Sequence, residues 1–207
     1  MKPIILTDID GVALKWQSGL PFFLASNNMP TDVALECLVD EQFRPATELF
    51  GCNESLAKMM IEEYNNSSYM RYLAPYTDAL IVINRLKARF DFVAVTALGT
   101  KPGASLNRIA NLNTLFPSAF KEIAVVNHGE SKTVLYNELK AKYGDRIVCF
   151  VDDLAINLEH CHDVMPDLKL FHMLRGWRED AKCEATCVND WSHIEGWLDL
   201  HKIGTKK

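Results

Sequence analysis

The sequence predicts an α/β fold, a Rossmann-like three-layer α/β/α arrangement around a parallel sheet. Five short runs are nearly continuous in Ile, Val, Leu, Phe or Ala, which is typical of strands buried on both faces. Helical segments separate the later runs, and repeated strand, helix, strand order indicates parallel strands joined by right-handed crossovers. One long stretch after the first run lacks a strand pattern, so we expect a small all-helical insertion there.

The expected strands and helices follow from these patterns in chain order. The strands are expected at residues 3–7, 90–96, 122–126, 147–151 and 168–172. Helices of the core are expected at residues 79–86, 133–142 and 191–203. Thr77 and Ser131 precede the first two helices and belong to the residue types preferred at helix N-termini, and Gly144 is suited to end the second.

The stretch between the first strand and Thr77 predicts a second structural unit. It spans about 60 residues, which is too long for a structureless loop in a compact domain. Helical patterns at residues 31–40 and 55–64 are separated by loop residues. The expected domains are a discontinuous core of residues 1–14 and 76–207 and a helical cap of residues 15–75.

Charge and hydropathy narrow the classes of partner. The net charge of −5 argues against a nucleic acid polymer or an anionic membrane, because both require a basic surface. A small phosphorylated substrate remains compatible, since one local cation can hold it. The apolar run before Asp8 is too short for a signal peptide, and no stretch approaches the roughly 20 apolar residues of a membrane helix. We therefore expect a cytoplasmic protein; the sequence leaves its oligomeric state open.

Polar residues follow several of the expected strands, at the edge where open parallel sheets bind ligands. Each has an ordinary structural explanation by itself, such as a turn, a strand end or a helix N-cap, but their joint occurrence at one edge favours a functional site. The residues at these positions are Asp8, Asp10, Gly11, Thr96, Ala97, Lys132, Asp152 and Asp153.

These segments resemble the four ordered motifs of the haloacid dehalogenase (HAD) superfamily. A strand ends in Asp-x-Asp-Gly-Val, a later strand ends in Thr, a Lys opens a helix, and a further strand ends in Asp-Asp. The resemblance covers the chain outside residues 15–75, which lie where a C1-type cap is inserted in that family. It implies a magnesium-dependent phosphomonoester hydrolase that forms an aspartyl-phosphate intermediate.

The resemblance also implies a role for each residue. Asp8 is the expected nucleophile, and Asp10 the acid that protonates the leaving oxygen and then deprotonates water. Thr96 and the Ala97 N–H group are expected to bind the phosphoryl oxygens. Lys132 is expected to balance negative charge.

A Mg²⁺ ion is the cofactor that the resemblance implies. Its expected ligands are a carboxylate oxygen of Asp8, the backbone carbonyl of Asp10 and the carboxylate of Asp153. Asp152 is expected to lie next to the metal ligands without coordinating the metal itself. Together, one Mg²⁺ and one lysine balance the charge of the three carboxylates Asp8, Asp152 and Asp153.

The residue at position 10 bears on the reaction. A halide leaves unprotonated, so an acid there favours phosphoester hydrolysis over dehalogenation. The short helical insertion and the first and fourth motifs also resemble 5′(3′)-deoxyribonucleotidases, which makes a nucleoside monophosphate the leading substrate and a sugar phosphate or other small phosphoester the next. Trp16, Phe22 and Phe23 are candidates to stack on a base, or else form the core of the insertion. Ala97 and the residue after it depart from the Ser-Pro of those nucleotidases.

Several alternatives stay open at this point. A phosphotransferase or mutase would use the same residues, and a non-catalytic binding protein could keep the fold. Arg175 and Arg178 follow the fifth strand, where a surface role is favoured over substrate contact. A histidine and cysteine group has a spacing that matches no common zinc module. Its members are His160, Cys161, His162, Cys183 and Cys187.

Overall fold

The computed structural model describes residues 1–176 and 179–204 and contains a six-stranded parallel sheet. The strands are β1 (Ile4–Thr7), β2 (Asp91–Thr96), β3 (Phe120–Val125), β4 (Ile147–Asp152), β5 (Lys169–Met173) and β6 (Thr186–Val188). Their order across the sheet is β3-β2-β1-β4-β5-β6, and every neighbouring pair is parallel. The predicted α/β class is therefore confirmed.

Nine α-helices connect or flank the strands in the described part of the chain. They are α1 (Leu20–Ser26), α2 (Asp32–Asp40), α3 (Ala46–Phe50), α4 (Glu54–Asn66), α5 (Thr77–Leu86), α6 (Pro102–Leu115), α7 (Thr133–Tyr143), α8 (Ala155–Val164) and α9 (Trp191–Leu200). Short 3-10 turns lie at Trp16–Gly19, Ser68–Tyr72 and Gly144–Arg146. None of the helices within the described ranges is long and apolar enough to cross a membrane.

The two faces of the sheet bury separate sets of side chains. Successive residues of a strand point to opposite faces, so Ile5 packs on one side of β1 while Ile4 and Leu6 pack on the other. The Ile4 side is covered by α7 and α8, and the Ile5 side by α5, α6 and α9. This is the three-layer arrangement that continuous apolar strands require, because both faces must leave water.

Residues 15–75, here called the helical insertion, contain α1 to α4 and two 3-10 turns. The chain enters and leaves the insertion side by side: Lys15 N donates to Ala74 O at 2.8 Å, and Tyr76 N donates to Ala13 O at 3.0 Å. Because this junction follows β1 directly, it holds the insertion at the carboxyl edge of the sheet. The division into two domains stays a prediction.

Two details of the helix starts differ from the sequence expectation. The N-cap of α5 is Tyr76, so Thr77 is its first helical residue. The N-cap of α7 is Lys132, and the Ser131 hydroxyl accepts a hydrogen bond from Thr133 N at 3.3 Å. The helix end at Gly144 agrees with the prediction; this residue has φ +51°.

Candidate active site

Three buried aspartates meet at the carboxyl ends of β1 and β4. The backbone N–H of Asp8 donates to Val151 O at 2.8 Å, which extends the β1–β4 pairing beyond the strand. One carboxylate oxygen from each of Asp8, Asp152 and Asp153 lies within 4.8 Å of the others. The connection after β1 leads to β2 on one side of this pair, and the connection after β4 leads to β5 on the other side. In open parallel sheets, a ligand crevice usually lies between two such strands.

Lys132 is the cation of this cluster. Its Nζ donates to Asp8 Oδ1 at 2.9 Å and to Asp152 Oδ2 at 2.8 Å, and the residue is only 1% exposed. Burial opposes the charged form, but the two carboxylates outweigh that effect and raise the pKa of Lys132 above its ordinary value. The side chain is therefore a fixed positive charge in the site.

The pKa of Asp8 lies well above the usual range of an aspartate. Burial is the main cause, Lys132 acts in the opposite direction, and the nearby charges of Asp152 and Asp153 raise the pKa further. One lysine therefore does not fully balance the carboxylates that converge here. A bound divalent cation would supply the missing positive charge.

Asp152 is held by several donors at once. Its Oδ1 accepts from Leu154 N at 2.9 Å and from Asn157 Nδ2 at 3.0 Å, and its Oδ2 accepts from Lys132 and, at 3.1 Å, from Asn157 Nδ2. Because both oxygens are occupied, the carboxylate is placed to orient Lys132. This arrangement is consistent with the predicted supporting role of Asp152, and the ligand role of Asp153 stays a prediction.

Gly11 makes room for Asp153. A Cβ atom at position 11 would lie 2.4 Å from Asp153 Oδ2, and the backbone there has φ +80°. Glycine is required for both reasons: only a residue without a Cβ admits the carboxylate, and glycine adopts positive φ without strain.

Asp10 is bound by an arginine that the sequence did not single out. The Nη2 atom of Arg108, on α6, donates to Asp10 Oδ1 at 2.7 Å and to Oδ2 at 2.6 Å. Arg108 is fully buried, whereas the Asp10 side chain is 22% exposed. No short-range motif signals this pair, because the two residues are far apart in sequence.

A cavity of about 290 Å³ lies over these groups, between the sheet edge and the helical insertion. The core contributes Asp8, Asp10, Thr96, Ala97, Lys132, Asp153, His128, Leu154 and Asn157 to its wall. The insertion contributes Trp16, Phe43, Arg44, Ala46, Leu49, Ile61 and Asn65. The predicted catalytic, phosphate-binding and metal-binding residues, except the deeper Asp152, thus line one cavity, and their roles stay predictions.

The three candidate aromatic residues occupy different environments. Trp16 lines the cavity, and its Nε1 donates to Asn65 Oδ1 at 2.9 Å. Phe23 is buried, with its ring centroid 5.3 Å from that of Tyr64, and Phe22 is 65% exposed. Only Trp16 of the three is therefore placed to contact a ligand, while Phe23 belongs to the core of the insertion.

Arg175 lies away from the cavity wall. It forms an ion pair with Asp78 and stacks 3.7 Å from the centre of the Tyr76 ring. Arg178 lies outside the described residues. Among the residues that are described, the three aspartates form the one group with metal-ligand spacing, so the histidine and cysteine set does not assemble a zinc site there.

The donor atoms of the aspartate cluster fit a hard divalent cation. Carboxylate and carbonyl oxygens are the ligands that Mg²⁺ prefers, and Mg²⁺ is held by few protein carboxylates together with water and substrate oxygens. Cysteine and histidine would favour softer metals, and His128 alone represents them among the described residues of the cavity wall. Asp8 and Asp153 of the predicted ligand set lie in this cluster, and the ligand role of the Asp10 carbonyl stays a prediction.

Comparisons with known proteins identify a relative of this chain and structures that share its fold. No family model matches the sequence. An uncharacterized 32.4 kDa protein from the Gp30-rIII intergenic region of Enterobacteria phage T4 is 46% identical over 198 residues, which are 96% of this chain and 70% of that protein. The chain thus covers more than two thirds of a relative at an identity that shows common family membership.

Solved structures with the same fold are HAD proteins. A predicted phosphatase from Clostridium acetobutylicum has a TM-score of 0.65 at 14% identity, covering 97% of this chain and 99% of that one. A HAD hydrolase from Bacillus subtilis, solved with magnesium, has a TM-score of 0.63 at 14% identity, covering 96% and 99%. An L-2-haloacid dehalogenase from Xanthobacter autotrophicus has a TM-score of 0.62 at 13% identity, covering 96% and 99%. The chain belongs to the family of the T4 protein, and its fold is that of the HAD superfamily.

Proposed function

We propose that this protein is a magnesium-dependent phosphomonoester hydrolase in which Asp8 forms an aspartyl-phosphate intermediate. The arrangement of Asp8 carries the proposal: its carboxylate lines a cavity, contacts the buried Lys132 and lies beside Asp153. Phosphoryl transfer depends chiefly on positioning and on neutralising negative charge, and these groups supply both.

In the proposed first step, a carboxylate oxygen of Asp8 attacks phosphorus and the bond to the leaving oxygen breaks. Asp10 gives its proton to that oxygen, so the product leaves as a neutral alcohol. In the structure Arg108 Nη2 donates to both oxygens of Asp10; in the proposed step one oxygen would keep this contact while the other donates to the leaving oxygen. In the second step, Asp10 takes a proton from water, and the resulting hydroxide attacks phosphorus and releases Asp8 and inorganic phosphate.

The remaining side chains bind the phosphoryl group and balance its charge. Thr96 lies at the end of β2 and lines the cavity with Ala97, whose N–H is a candidate donor to the phosphoryl oxygens. Lys132 offsets negative charge as it accumulates. Mg²⁺, held by Asp8, the Asp10 carbonyl and Asp153, would supply Lewis-acid stabilisation of the transferring phosphoryl oxygens.

Asp10 separates this proposal from dehalogenation, the reaction of some proteins with this fold. A departing halide has no need of a proton donor, whereas an alkoxide does. The carboxyl group of Asp10 lines the cavity and is fixed there by Arg108. This favours a phosphoester as the substrate.

The proposed substrate is a small phosphoester, with a nucleoside monophosphate as the first to test and a sugar phosphate as the next. The cavity is small, about 290 Å³, and Trp16 and Phe43 are aromatic residues of its wall. An aromatic wall favours a flat leaving group such as a nucleobase. Asn65 fixes the Trp16 indole by accepting its N–H.

The test is phosphate release from nucleoside monophosphates, sugar phosphates and an aryl phosphate, with Mg²⁺ and with a chelator. Asp8→Asn should lower the rate by more than about 10³-fold, the scale expected when a covalent nucleophile is removed. Asp199→Asn is the matched control, because Asp199 is an exposed aspartate that pairs with Arg89 on the surface. Retained activity in Asp8→Asn would overturn the nucleophile assignment. Phosphate transfer only to an added acceptor would identify a phosphotransferase instead.

A further inference from the structure

Arg108 has an unusual environment for an arginine. It is fully buried on α6, and its Nη2 atom donates to both oxygens of Asp10. Its Nε and Nη1 atoms have no hydrogen-bond partner among the described residues. A buried charge needs a compensating partner, and here that partner is a carboxylate that lines the catalytic cavity.

Helix α6 also forms hydrogen bonds with the C-terminal end of the helical insertion. Asn107 Nδ2 donates to Ser67 O at 3.0 Å, and Asn111 Nδ2 donates to Leu73 O at 3.2 Å. Asn111 lies four positions after Asn107 and three after Arg108, so its side chain is close to both on the helix surface. The three side chains therefore project within about a third of the circumference of α6. That side contacts both the segment leaving the insertion and the side chain of Asp10.

We propose that Arg108 is a positioning residue for Asp10, presented by a helix that also holds the end of the helical insertion. The inference rests on the proposed phosphatase function and adds a residue to it. Arg108 fixes the carboxyl group of Asp10 at the cavity wall, where the leaving oxygen of a phosphoester would receive its proton. Arg108 is buried away from the cavity wall and acts through Asp10 alone.

A role through Asp10 predicts that the effect of Arg108 depends on the leaving group. Phenol has a pKa of about 10, like the tyrosine side chain, so phenolate benefits from protonation as it departs. The 2,4-dinitrophenolate ion is far less basic and departs without a proton. The two aryl phosphates have similar shape, so they differ mainly in their need for Asp10.

The experiment compares kcat/KM for phenyl phosphate and 2,4-dinitrophenyl phosphate, because this constant reports the steps up to departure of the leaving group. Arg108→Met should lower kcat/KM for phenyl phosphate by about 10²-fold or more, the usual contribution of a positioned acid, and for the dinitrophenyl ester by less than about 3-fold. Arg108→Lys should recover part of the loss. Adding Arg108→Met to Asp10→Asn should change neither substrate by more than about 2-fold, since the acid is already absent.

The outcomes separate this inference from the proposed function. The positioning role would be overturned, with the phosphatase proposal intact, by either of two results. One is an equal decrease of kcat/KM for both esters in Arg108→Met; the other is a further decrease of the same size when Arg108→Met is added to Asp10→Asn. If the unmodified protein releases phosphate neither from these esters nor from the nucleoside monophosphates and sugar phosphates, and Asp8→Asn is indistinguishable from it, both proposals are overturned. Arg85→Met, which removes an exposed arginine paired with Glu195, should leave both substrates unchanged. If Arg108→Met fails to fold, the Arg108→Lys variant carries the same comparison.

Discussion

Lys132 is expected to contribute both to the stability of the fold and to turnover. It joins two buried carboxylates, Asp8 and Asp152, so its removal leaves both without their cation. We expect Lys132→Ala to lower the free energy of unfolding by about 3–5 kcal/mol and to reduce turnover heavily. Urea unfolding at neutral pH measures the first effect and phosphate release the second.

Lys121→Ala is the control for this change. Lys121 is 48% exposed and lies 3.7 Å from Asp91, so its loss should cost less than about 1 kcal/mol. Equal unfolding free energies for the two variants would contradict the assignment of Lys132 as an essential buried cation.

Gly11 offers a sharper test, because a second glycine, Gly51, also has a positive φ but has no side chain beside it. Gly11 has φ +80° and faces Asp153, whereas Gly51 has φ +59° and nothing within 4 Å of the place where an alanine methyl group would lie. Both alanine substitutions incur the strain of a left-handed backbone, about 1–2 kcal/mol. Only Gly11→Ala should also displace Asp153 and remove the magnesium-dependent activity. Activity assays and urea unfolding of both variants decide this; loss of activity in both would contradict it.

The sequence allows some site residues to be predicted and conceals others for a physical reason. Asp8, Thr96 and Asp153 stand at the ends of apolar strands, where the geometry of a parallel sheet brings them together. Arg108 and Asn157 reach the site from the faces of helices. Which side of a helix meets the site depends on tertiary packing, so no local pattern identifies them.

At the scale of secondary structure, the buried strands were predictable and the half-exposed one was not. β1, β2 and β4 are apolar except at their end residues, and they are nearly fully buried. β6 is three residues long and has two exposed positions, so it gives no apolar run. Helix α6 was missed because its inward side carries Arg108 and Asn111, which interrupt the apolar stripe expected of a packed helix.

Helix α9 provides a prediction at this scale. Its N-cap, Asp190, accepts hydrogen bonds from Ser192 N at 2.8 Å and from His193 N at 3.3 Å. Partial burial opposes the charged form, but these hydrogen bonds prevail and lower the pKa of Asp190. Asp190→Ala should cost about 1 kcal/mol of stability at neutral pH, measured by urea unfolding.

The pH dependence of this cap has a defined sign. Because the pKa is lower in the folded state, the stabilisation is present above the unfolded value of about 3.9 and is lost as the pH falls through the folded value. The difference in free energy of unfolding between the unmodified protein and Asp190→Ala should therefore become smaller as the pH is lowered. Asp190→Asn keeps a capping oxygen without the titration, so its stability relative to Asp190→Ala should hold steady. If the difference in free energy of unfolding between the unmodified protein and Asp190→Ala stays constant from pH 7 to pH 3, the ionised Asp190 carboxylate is not what stabilises the helix.

At the scale of the whole molecule, the cluster of ionised aspartates lowers the stability of the fold. Burial and the nearby charges of Asp152 and Asp153 raise the pKa of Asp8, which means that the ionised cluster is unfavourable without a further cation. The parallel sheet places these carboxylates together because their strands are neighbours, and the core beneath them holds the arrangement. The folded protein should therefore gain stability from the ion that the site is proposed to bind.

The excess of negative charge in the cluster predicts that Mg²⁺ reverses the relative stability of the unmodified protein and a variant lacking one carboxylate. Without the ion, Asp153→Asn should be more stable than the unmodified protein, because it removes one of the mutually repelling charges. With Mg²⁺ at 100 times its dissociation constant, the unmodified protein should gain about 2.7 kcal/mol and become the more stable of the two, since the variant lacks a ligand. Thermal unfolding across a magnesium titration measures the crossover, and Asp199→Asn, at an exposed position, should follow the unmodified protein. A full magnesium response in Asp153→Asn would show that the ion binds elsewhere.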